Sequence, residues 1–404
     1  MMAERDAIKA LGGMPEGEIM ANIIDYVRWR GDIPTYQVPL GEVDALILSY
    51  LSYMPFDGIV SSSFGGSGVR LGDACAQLLE MGAESACMIE SRQDDCLLLY
   101  ELQKSARYAP MRLIGYINRY DKDAQEQFSA VTFVVSAEIS FVAFRGTDST
   151  VVGWKEDFNM SFSGEVPAQR NAYYYVQEAA RALSGRLILG GHSKGGNLAA
   201  YAGIFSADEV QSRIDSVYNF DGPGFNEALV RTEEFQRLDM RIRTYVPQSS
   251  LIGILLWHAE EFTVVSSDAV SVLQHNPYTW QLMGGRFLTE QKRTRASRFA
   301  EETLKHWLGG LQPQERKDFI DGIYGVLAAS DGRSVAELFE PRSIVSIVRA
   351  VSNMDEETRD TIAEALRLLG GSIKEILPDW IDRAAMELRS RISGERPENE
   401  QENG

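Results

Sequence analysis

The chain has 404 residues, of which 44% are hydrophobic and 24% charged, values that are ordinary for a globular protein. At this length we expect one large core with a smaller satellite. The formal net charge of −18 argues against nucleic acid or an anionic membrane surface as the main partner, but it allows a neutral lipid or ester substrate.

The amino-terminal residues, MMAERDAIKALGGMPEGEI, contain no basic segment followed by an apolar one, so no secretory signal is expected. The longest strongly apolar run, at residues 251–257, is too short to cross a bilayer, and no transmembrane segment is predicted. Cys75, Cys87 and Cys96 lack metal-ligand spacing and are typical of free thiols in a reducing compartment. We therefore expect a cytoplasmic protein that needs no metal or cofactor.

The first part of the chain is predicted to be helical after a loosely ordered segment at residues 1–20. Apolar residues recur at helical spacing over 22–30 and 42–53, and residues 73–107 also look helical. The glycine- and serine-rich stretch 61–73 is predicted to be a flexible connection. It lacks the Gly-Lys-Ser/Thr ending of a phosphate loop, so nucleotide binding there is not expected.

From residue 112 the pattern changes to strands that alternate with helices. Their order predicts an α/β domain over residues 21–286, with a doubly wound, mostly parallel sheet, flanking helices and a site at the carboxyl ends of the strands. The predicted strands lie at 112–118, 128–135, 138–144, 186–189, 216–220, 241–246 and 262–265, with a crossover helix at 165–184.

Beyond residue 286 the strand signals stop. Apolar stripes at helical spacing predict a helical C-terminal satellite over residues 287–393, which offers a surface for a protein partner. The polar, acidic tail 394–404 is expected to be disordered.

Residues 186–205, RLILGGHSKGGNLAAYAGIF, combine an apolar strand, a glycine-rich turn and a helix of small residues. This is the nucleophile elbow of the α/β-hydrolases, in which a strained turn projects the hydroxyl of Ser193 above the sheet. Gly191 and Gly195 stand where a Cβ would collide with the neighbouring helix or strand. The alternative is a glycine-rich turn that contains a serine by chance.

A serine nucleophile needs a base, and the chain has only four histidines. His192 lies inside the elbow, and its side chain is expected to point away from the serine. His306 lies on a satellite helix, and His258 precedes the strand at 262–265. His275 follows that strand, so it lies at the catalytic rim and is our predicted general base; the alternative is a hydrogen-bonded loop residue.

The acid of an α/β-hydrolase lies between the serine and the histidine in the sequence. Its usual place is the turn after the strand at 241–246, but that turn offers no carboxylate. Asp221 follows the preceding strand directly and is our first choice, with Asp268 in reserve. The alternative reading of Asp221 is an Asx turn that closes a strand.

An oxyanion hole needs two aligned donors. One is the backbone N–H of Lys194, and the other is expected from Thr147, in the turn after the strand at 138–144. Arg145 is expected to brace this turn through an ion pair with one of three acids, namely Asp148, Glu156 or Asp157.

These motifs support a resemblance. The segment FRGTD at 144–148, with Trp154 and Asp157 after it and GHSKGG further on, resembles the class 3 lipase-like branch of the α/β-hydrolases. The resemblance implies that Thr147 matches that family's oxyanion residue and that Ser193 matches its nucleophile.

A wider resemblance, over residues 20–285, is to the bacterial family called Mbeg-like, a lipase-like family whose activity is uncharacterised. The segments that carry it are NIIDYVRWRGDI, EVDALILSYLSYMPF, GHSKGGNLA, YNFDGPGF and QHNPYTW. Two features depart from the class 3 lipases, which usually have leucine in place of Lys194 and their acid in place of Ser249 and Ser250. The first departure puts a cation beside the site, and the second leaves the acid open.

The sequence thus favours an intracellular serine hydrolase that acts on a small-molecule ester, lipid-derived or not. Ser193 would attack the carbonyl, His275 would move the proton, Asp221 would orient His275, and Thr147 with Lys194 would bind the oxyanion. Two alternatives stay open: a retired hydrolase scaffold that serves as a binding or regulatory protein, and an acyltransferase or thioesterase with the same nucleophile. The sequence does not specify the acyl chain or the oligomeric state.

Overall fold

The computed structural model describes residues 21–82, 92–121, 126–147, 165–250, 253, 258, 260–269, 271–294 and 297. The predicted N-terminal segment 1–20, nearly all of the satellite 287–393 and the tail 394–404 lie outside these residues.

The described elements alternate between helices and strands after a helical N-terminal part. The helices are α1 (Ile23–Arg30), α2 (Glu42–Tyr50), α3 (Leu71–Glu80), α4 (Arg92–Leu102), α5 (Pro167–Ala182), α6 (Lys194–Phe205), α7 (Asp208–Gln211), α8 (Glu227–Val230) and α9 (Glu233–Leu238). The strands are β1 (Val69–Arg70), β2 (Arg112–Asp121), β3 (Glu126–Val134), β4 (Ile139–Phe144), β5 (Arg186–His192), β6 (Ile214–Phe220), β7 (Ile242–Pro247), β8 (Phe262–Val265), β9 (Leu282–Met283), β10 (Arg286–Phe287) and β11 (Thr289–Glu290). None of the described helices combines the length and apolarity that a membrane span requires.

One mixed sheet organises the fold, in the order β1-β2-β3-β4-β5-β6-β7-β8-β11. Strands β4 to β8 are parallel to one another. Antiparallel pairs extend the sheet at both edges, through β1, β2 and β3 on one side and β11 on the other. The α/β class predicted from the sequence is therefore confirmed. The last strand, β11, follows the expected domain boundary at residue 286.

The expectation of a doubly wound sheet is wrong, because the strands follow one another in chain order without a reversal. When the strands of a parallel sheet are added in one direction only, right-handed connections place all the crossover helices on the same face of the sheet. Helices α5 and α6 accordingly pack against each other in a single core. The other face is covered by the N-terminal helices, and α2 packs on β4, β5 and β6. The chain thus builds its second helical layer from residues that precede β2.

Strand β5 shows how the sheet separates two cores. Leu187 and Leu189 point into the core shared with α5 and α6, and Ile188 points into the core under the N-terminal helices. All three are buried, as a continuous apolar run in a parallel strand predicts.

A buried ion pair stabilises the N-terminal layer, by which we mean helices α1 to α4. The guanidinium of Arg107 donates to both carboxylate oxygens of Asp44, at 2.6 and 2.7 Å, and both side chains are fully buried. The hydroxyls of Tyr26 and Tyr108 donate to the same carboxylate, at 3.1 and 2.5 Å. Arg107 also donates to main-chain carbonyls of the 33–39 loop. Burial of this pair is compensated by several hydrogen bonds, as a buried charge requires.

The carboxyl ends of the central strands meet at one rim. Gly191 of β5 lies opposite Phe144 of β4, and Phe220 of β6 pairs with His192 on one side and Tyr245 on the other. Loops that follow these strands therefore project from the same edge, which is where open α/β sheets place their sites.

Candidate active site

Ser193 stands at a strained turn between β5 and α6. Its φ is 57° and its ψ is −135°, a conformation that costs a non-glycine residue about 1–3 kcal/mol. It occupies the N-cap position, yet its side chain makes no capping hydrogen bond. The hydroxyl is therefore not used to satisfy the first turn of the helix, although the residue is only 8% exposed.

Two glycines allow the turn to close. A Cβ on Gly191 would overlap the main chain of Gly195 at the start of α6, and a Cβ on Gly195 would overlap the carbonyl of Phe144 in β4. These are the close approaches to helix and strand that the sequence predicts. A third glycine, Gly146, lies so near the elbow that a Cβ there would come within 2.9 Å of Ser193 Cβ.

Both predicted oxyanion donors lie next to residues of this turn in the sequence. Lys194 is the first residue of α6, where N–H groups have no intrahelical partner, and Thr147 follows Gly146. The Lys194 side chain is buried, and its Nζ donates to the main-chain carbonyl of Gln127 at 3.0 Å. The cation noted in the sequence is thus bound by strand β3.

Arg145 is also buried, at 3% exposure, and its Nε has no hydrogen-bond partner in the described part of the chain. The three acids expected to pair with it, Asp148, Glu156 and Asp157, all lie outside the described residues. Its predicted bracing role stays a prediction.

His275 and Asp221 are in contact at the rim. His275 ends the 3₁₀ turn Ser271–His275 after β8, and its Nδ1 lies 2.6 Å from Oδ2 of Asp221. The Asp221 side chain is 1% exposed, whereas the imidazole is 22% exposed. A buried carboxylate thus binds Nδ1 of an imidazole that is partly exposed to solvent.

Asp221 is held by groups that the sequence did not reveal. Its φ is 50°, and its N–H donates to the carbonyl of Tyr245 at 2.8 Å. Its second carboxylate oxygen, Oδ1, accepts from the hydroxyl of Ser250 and from the N–H of Gly253 at 3.1 Å. Ser250 lies after β7, in the turn that offered no acid. In that turn the hydroxyl of Ser250 donates to Asp221, the carboxylate that follows the neighbouring strand β6.

The other candidates lie elsewhere. Asp268 is exposed, and its N–H donates to the carbonyl of Thr279 at 3.1 Å. His258 contacts Glu260 at 2.8 Å near the amino end of β8. His306 lies outside the described residues. Within the described residues, no group of three or more His, Cys, Asp or Glu side chains is arranged to hold a metal ion.

His192 contacts His275, a contact that sequence reasoning missed. Its Nε2 lies 2.8 Å from the main-chain oxygen of His275, and the two rings are 4.4 Å apart between centroids. Its Nδ1 lies 3.1 Å from the hydroxyl of Tyr53. Burial holds the pKa of His192 well below the usual histidine value, and the charge of His275 lowers it further. The position of His192 directly before the predicted nucleophile could have indicated that its ring lies near the general base.

A sequence profile of the Mbeg1-like family matches residues 102–325, more than half of the 404-residue chain. No curated protein matches the chain.

Three solved lipase structures are distantly similar. They are a Rhizomucor miehei lipase with its propeptide, at 17% identity, a fungal lipase in complex with an inhibitor, at 16%, and M37 lipase, at 14%; each TM-score is 0.31. The matches cover 46%, 48% and 53% of this chain and 64%, 78% and 69% of the respective lipases. The chain thus spans less than two thirds of the Rhizomucor lipase.

Proposed function

We propose that this chain, which belongs to the Mbeg1-like family, is a serine hydrolase of carboxylic esters. The observation that carries the proposal is the 2.6 Å contact between His275 Nδ1 and the buried Asp221, at the rim where Ser193 occupies a strained turn. A serine in such a turn and a carboxylate-oriented histidine are the two parts that nucleophilic acyl transfer requires.

In the first half-reaction, Ser193 Oγ attacks the ester carbonyl and its proton passes to His275 Nε2, the nitrogen that Asp221 does not use. Asp221 stabilises the resulting imidazolium without taking its proton. Backbone N–H groups of Lys194 and Thr147 stabilise the tetrahedral oxyanion. Collapse of the intermediate breaks the C–O bond to the alcohol, which leaves with the proton from His275, and an acyl-serine remains.

In the second half-reaction, water attacks the acyl carbonyl and gives a proton to His275. Collapse of this intermediate breaks the bond to Ser193 Oγ, His275 returns the proton to Oγ, and the acid is released. An alcohol or thiol in place of water would make the same residues an acyltransferase, and a thioester in place of the ester would make them a thioesterase. We favour a neutral, small or lipid-derived ester, because the chain carries a net charge of −18.

A fluorophosphonate probe tests the nucleophile directly. We expect the full chain to be labelled at one site, and mass spectrometry of its peptides to place the adduct on Ser193. The Ser193→Ala variant is the matched control and is expected to remain unlabelled. Labelling that persists in this variant, or a wild type that does not react although it is folded, would contradict the proposal.

Ser250→Ala tests how Asp221 is held. Loss of one hydrogen bond to an ionised group costs about 1.5–3 kcal/mol, so we expect labelling to slow by roughly tenfold or more. Ser249→Ala is the matched control, because its hydroxyl contacts Thr294 and not Asp221. Equal rates in the two variants would show that the Ser250 hydroxyl does not support the acid.

A further inference from the structure

We propose that His192 is a positioning residue that ties the base, His275, to the backbone of the nucleophile, Ser193. This inference rests on the proposed function. His192 is the last residue of β5 and immediately precedes Ser193, and its ring reaches across the rim to the loop that carries His275.

The contacts of His192 define which nitrogen carries its proton. Nε2 lies 2.8 Å from the carbonyl oxygen of His275, and a carbonyl only accepts, so Nε2 must donate. Nδ1 is then free of a proton in the neutral ring and accepts from the hydroxyl of Tyr53, at 3.1 Å. In the neutral ring, the contact with the His275 carbonyl therefore selects the tautomer with hydrogen on Nε2, and the Tyr53 hydroxyl is compatible with that tautomer.

The tether supplies a constraint that Asp221 alone does not. Asp221 holds the imidazole of His275 through one hydrogen bond to Nδ1. The main chain beside His275 is held by other groups, such as the indole N–H of Trp280, which donates to the carbonyl of the preceding residue at 2.8 Å. His192 holds the carbonyl of His275 itself, and because His192 and Ser193 are consecutive, the base is bound to the segment that bears the nucleophile. A misplacement of about 1 Å in such a pair costs about 10²-fold in rate.

A neutral His192 also suits the charge that develops during the reaction. When His275 accepts the proton it becomes a cation, only 4.4 Å between ring centroids from His192. A second cation at this distance would destabilise the imidazolium. Burial prevents that, since it lowers the pKa of His192 well below the usual histidine value. His192 therefore orients its neighbour without competing for the proton.

Tyr53 brings the N-terminal layer into the site. It ends the 3₁₀ turn Leu51–Tyr53 that follows α2, and its hydroxyl lies 3.1 Å from His192 Nδ1 and 3.2 Å from the His192 carbonyl oxygen. Without this hydroxyl, Nδ1 and the carbonyl oxygen of His192 both lose a partner, and the ring is less firmly held in the orientation that donates to His275.

The His192→Phe variant removes the tether while it keeps a buried ring. Tyr53 retains the main-chain oxygen of residue 192 as an acceptor, so the carbonyl of His275 is the group that loses its donor. On an ester turned over by the wild type, we expect kcat to fall by about 10- to 100-fold and KM to stay within about twofold. His192→Gln restores an N–H donor and should recover most of that loss. Equal kcat values for wild type and the Phe variant, or a Gln variant as slow as the Phe variant, would overturn the proposal.

A second measurement tests the hydrogen bond from His192 to the His275 carbonyl without a catalytic assay. In full chain labelled with ¹⁵N-histidine, where only four histidines contribute, we expect His192 to be neutral with hydrogen on Nε2 at about pH 7 and to protonate at a lower pH than an ordinary histidine. The Tyr53→Phe variant should keep hydrogen on Nε2 and show a severalfold lower kcat, because His192 loses a partner that orients its ring. A wild-type His192 that carries hydrogen on Nδ1, or that protonates at or above the usual histidine pKa, would refute the tether.

Different experimental outcomes would contradict the proposed hydrolase activity and the proposed positioning role of His192. A folded wild type that does not react with the fluorophosphonate contradicts the hydrolase, whatever tautomer His192 adopts. A wild type that reacts on Ser193, with a folded Phe variant that reacts at the same rate, contradicts only the positioning role. If the Phe variant does not fold, Tyr53→Phe and the ¹⁵N spectrum of the wild type decide the question.

Discussion

Replacement of Asp221 with asparagine should lower kcat by about 10⁴-fold while the protein stays folded. The substitution preserves the size of the side chain, and so the packing of a residue that is 1% exposed. What changes is the hydrogen-bonding pattern, because the carboxylate accepts at both oxygens and the carboxamide accepts at only one.

The surroundings dictate how that carboxamide is oriented. The N–H of Gly253 points at Oδ1 and can only donate, so the amide oxygen must occupy that position. The amide NH₂ then faces Nδ1 of His275, which must give up its hydrogen to accept. The proton moves to Nε2, and the ring can no longer take the proton of Ser193.

Steady-state kinetics and thermal unfolding of the variant check this prediction. Asp268→Asn is the matched control, since Asp268 is the exposed reserve candidate, and we expect nearly wild-type kcat from it. An Asp221→Asn variant within tenfold of the wild type would exclude Asp221 as the acid. A large loss in Asp268→Asn instead would transfer the role to that residue.

Arg107→Met should lower the free energy of unfolding by about 3–5 kcal/mol, because it leaves the carboxylate of Asp44 buried without its cation. The methionine approximates the length of the arginine side chain, so the space is largely filled. The hydroxyls of Tyr26 and Tyr108 still donate to Asp44, but they do not neutralise it.

Urea unfolding of Arg107→Met and of an exposed counterpart measures this effect. Arg231 pairs with Glu227 at the surface, where the side chains are 74% and 51% exposed, and exposed pairs contribute about 0–1 kcal/mol. We therefore expect Arg231→Met to unfold near the wild-type midpoint. If both variants shifted the midpoint equally, the buried pair would not fasten the N-terminal layer.

The elements with a strong local pattern were predictable from the sequence. Strand β8 coincides with its predicted range, and β5 begins at the predicted residue, because runs of apolar residues between turns specify buried strands. The glycine-rich stretch 61–73, by contrast, contains β1 and the start of α3. Two-residue strands such as β1 and β11 leave no periodic signal, so only their partners in the sheet define them.

The winding of the sheet was not predictable, because local patterns do not tell which face a crossover helix covers. The N-terminal helices were identified, but their burial of the second face depends on contacts with strands far along the chain. The same limit applies at the site. Asp221 and His275 were proposed from their positions at strand ends, whereas Ser250 and Tyr53 reach the site only through tertiary packing.

Several expectations stay predictions. They include the catalytic roles of Ser193, His275 and Asp221, the oxyanion donors Thr147 and Lys194, the class 3 assignment, the domain division and the cytoplasmic location. The helical satellite and its surface for a protein partner lie outside the described residues.

The position of the N-terminal layer, which precedes β2 in the chain, has a consequence for biosynthesis. Glu42 of α2 accepts from the hydroxyl of Tyr245 and from the N–H of Phe287, which lie 203 and 245 positions further along the chain. A ribosome therefore releases the apolar faces of α1 and α2 long before the strands that cover them have been made. Such late partners slow folding, and the apolar faces of these helices stay uncovered in the nascent chain until the strands follow.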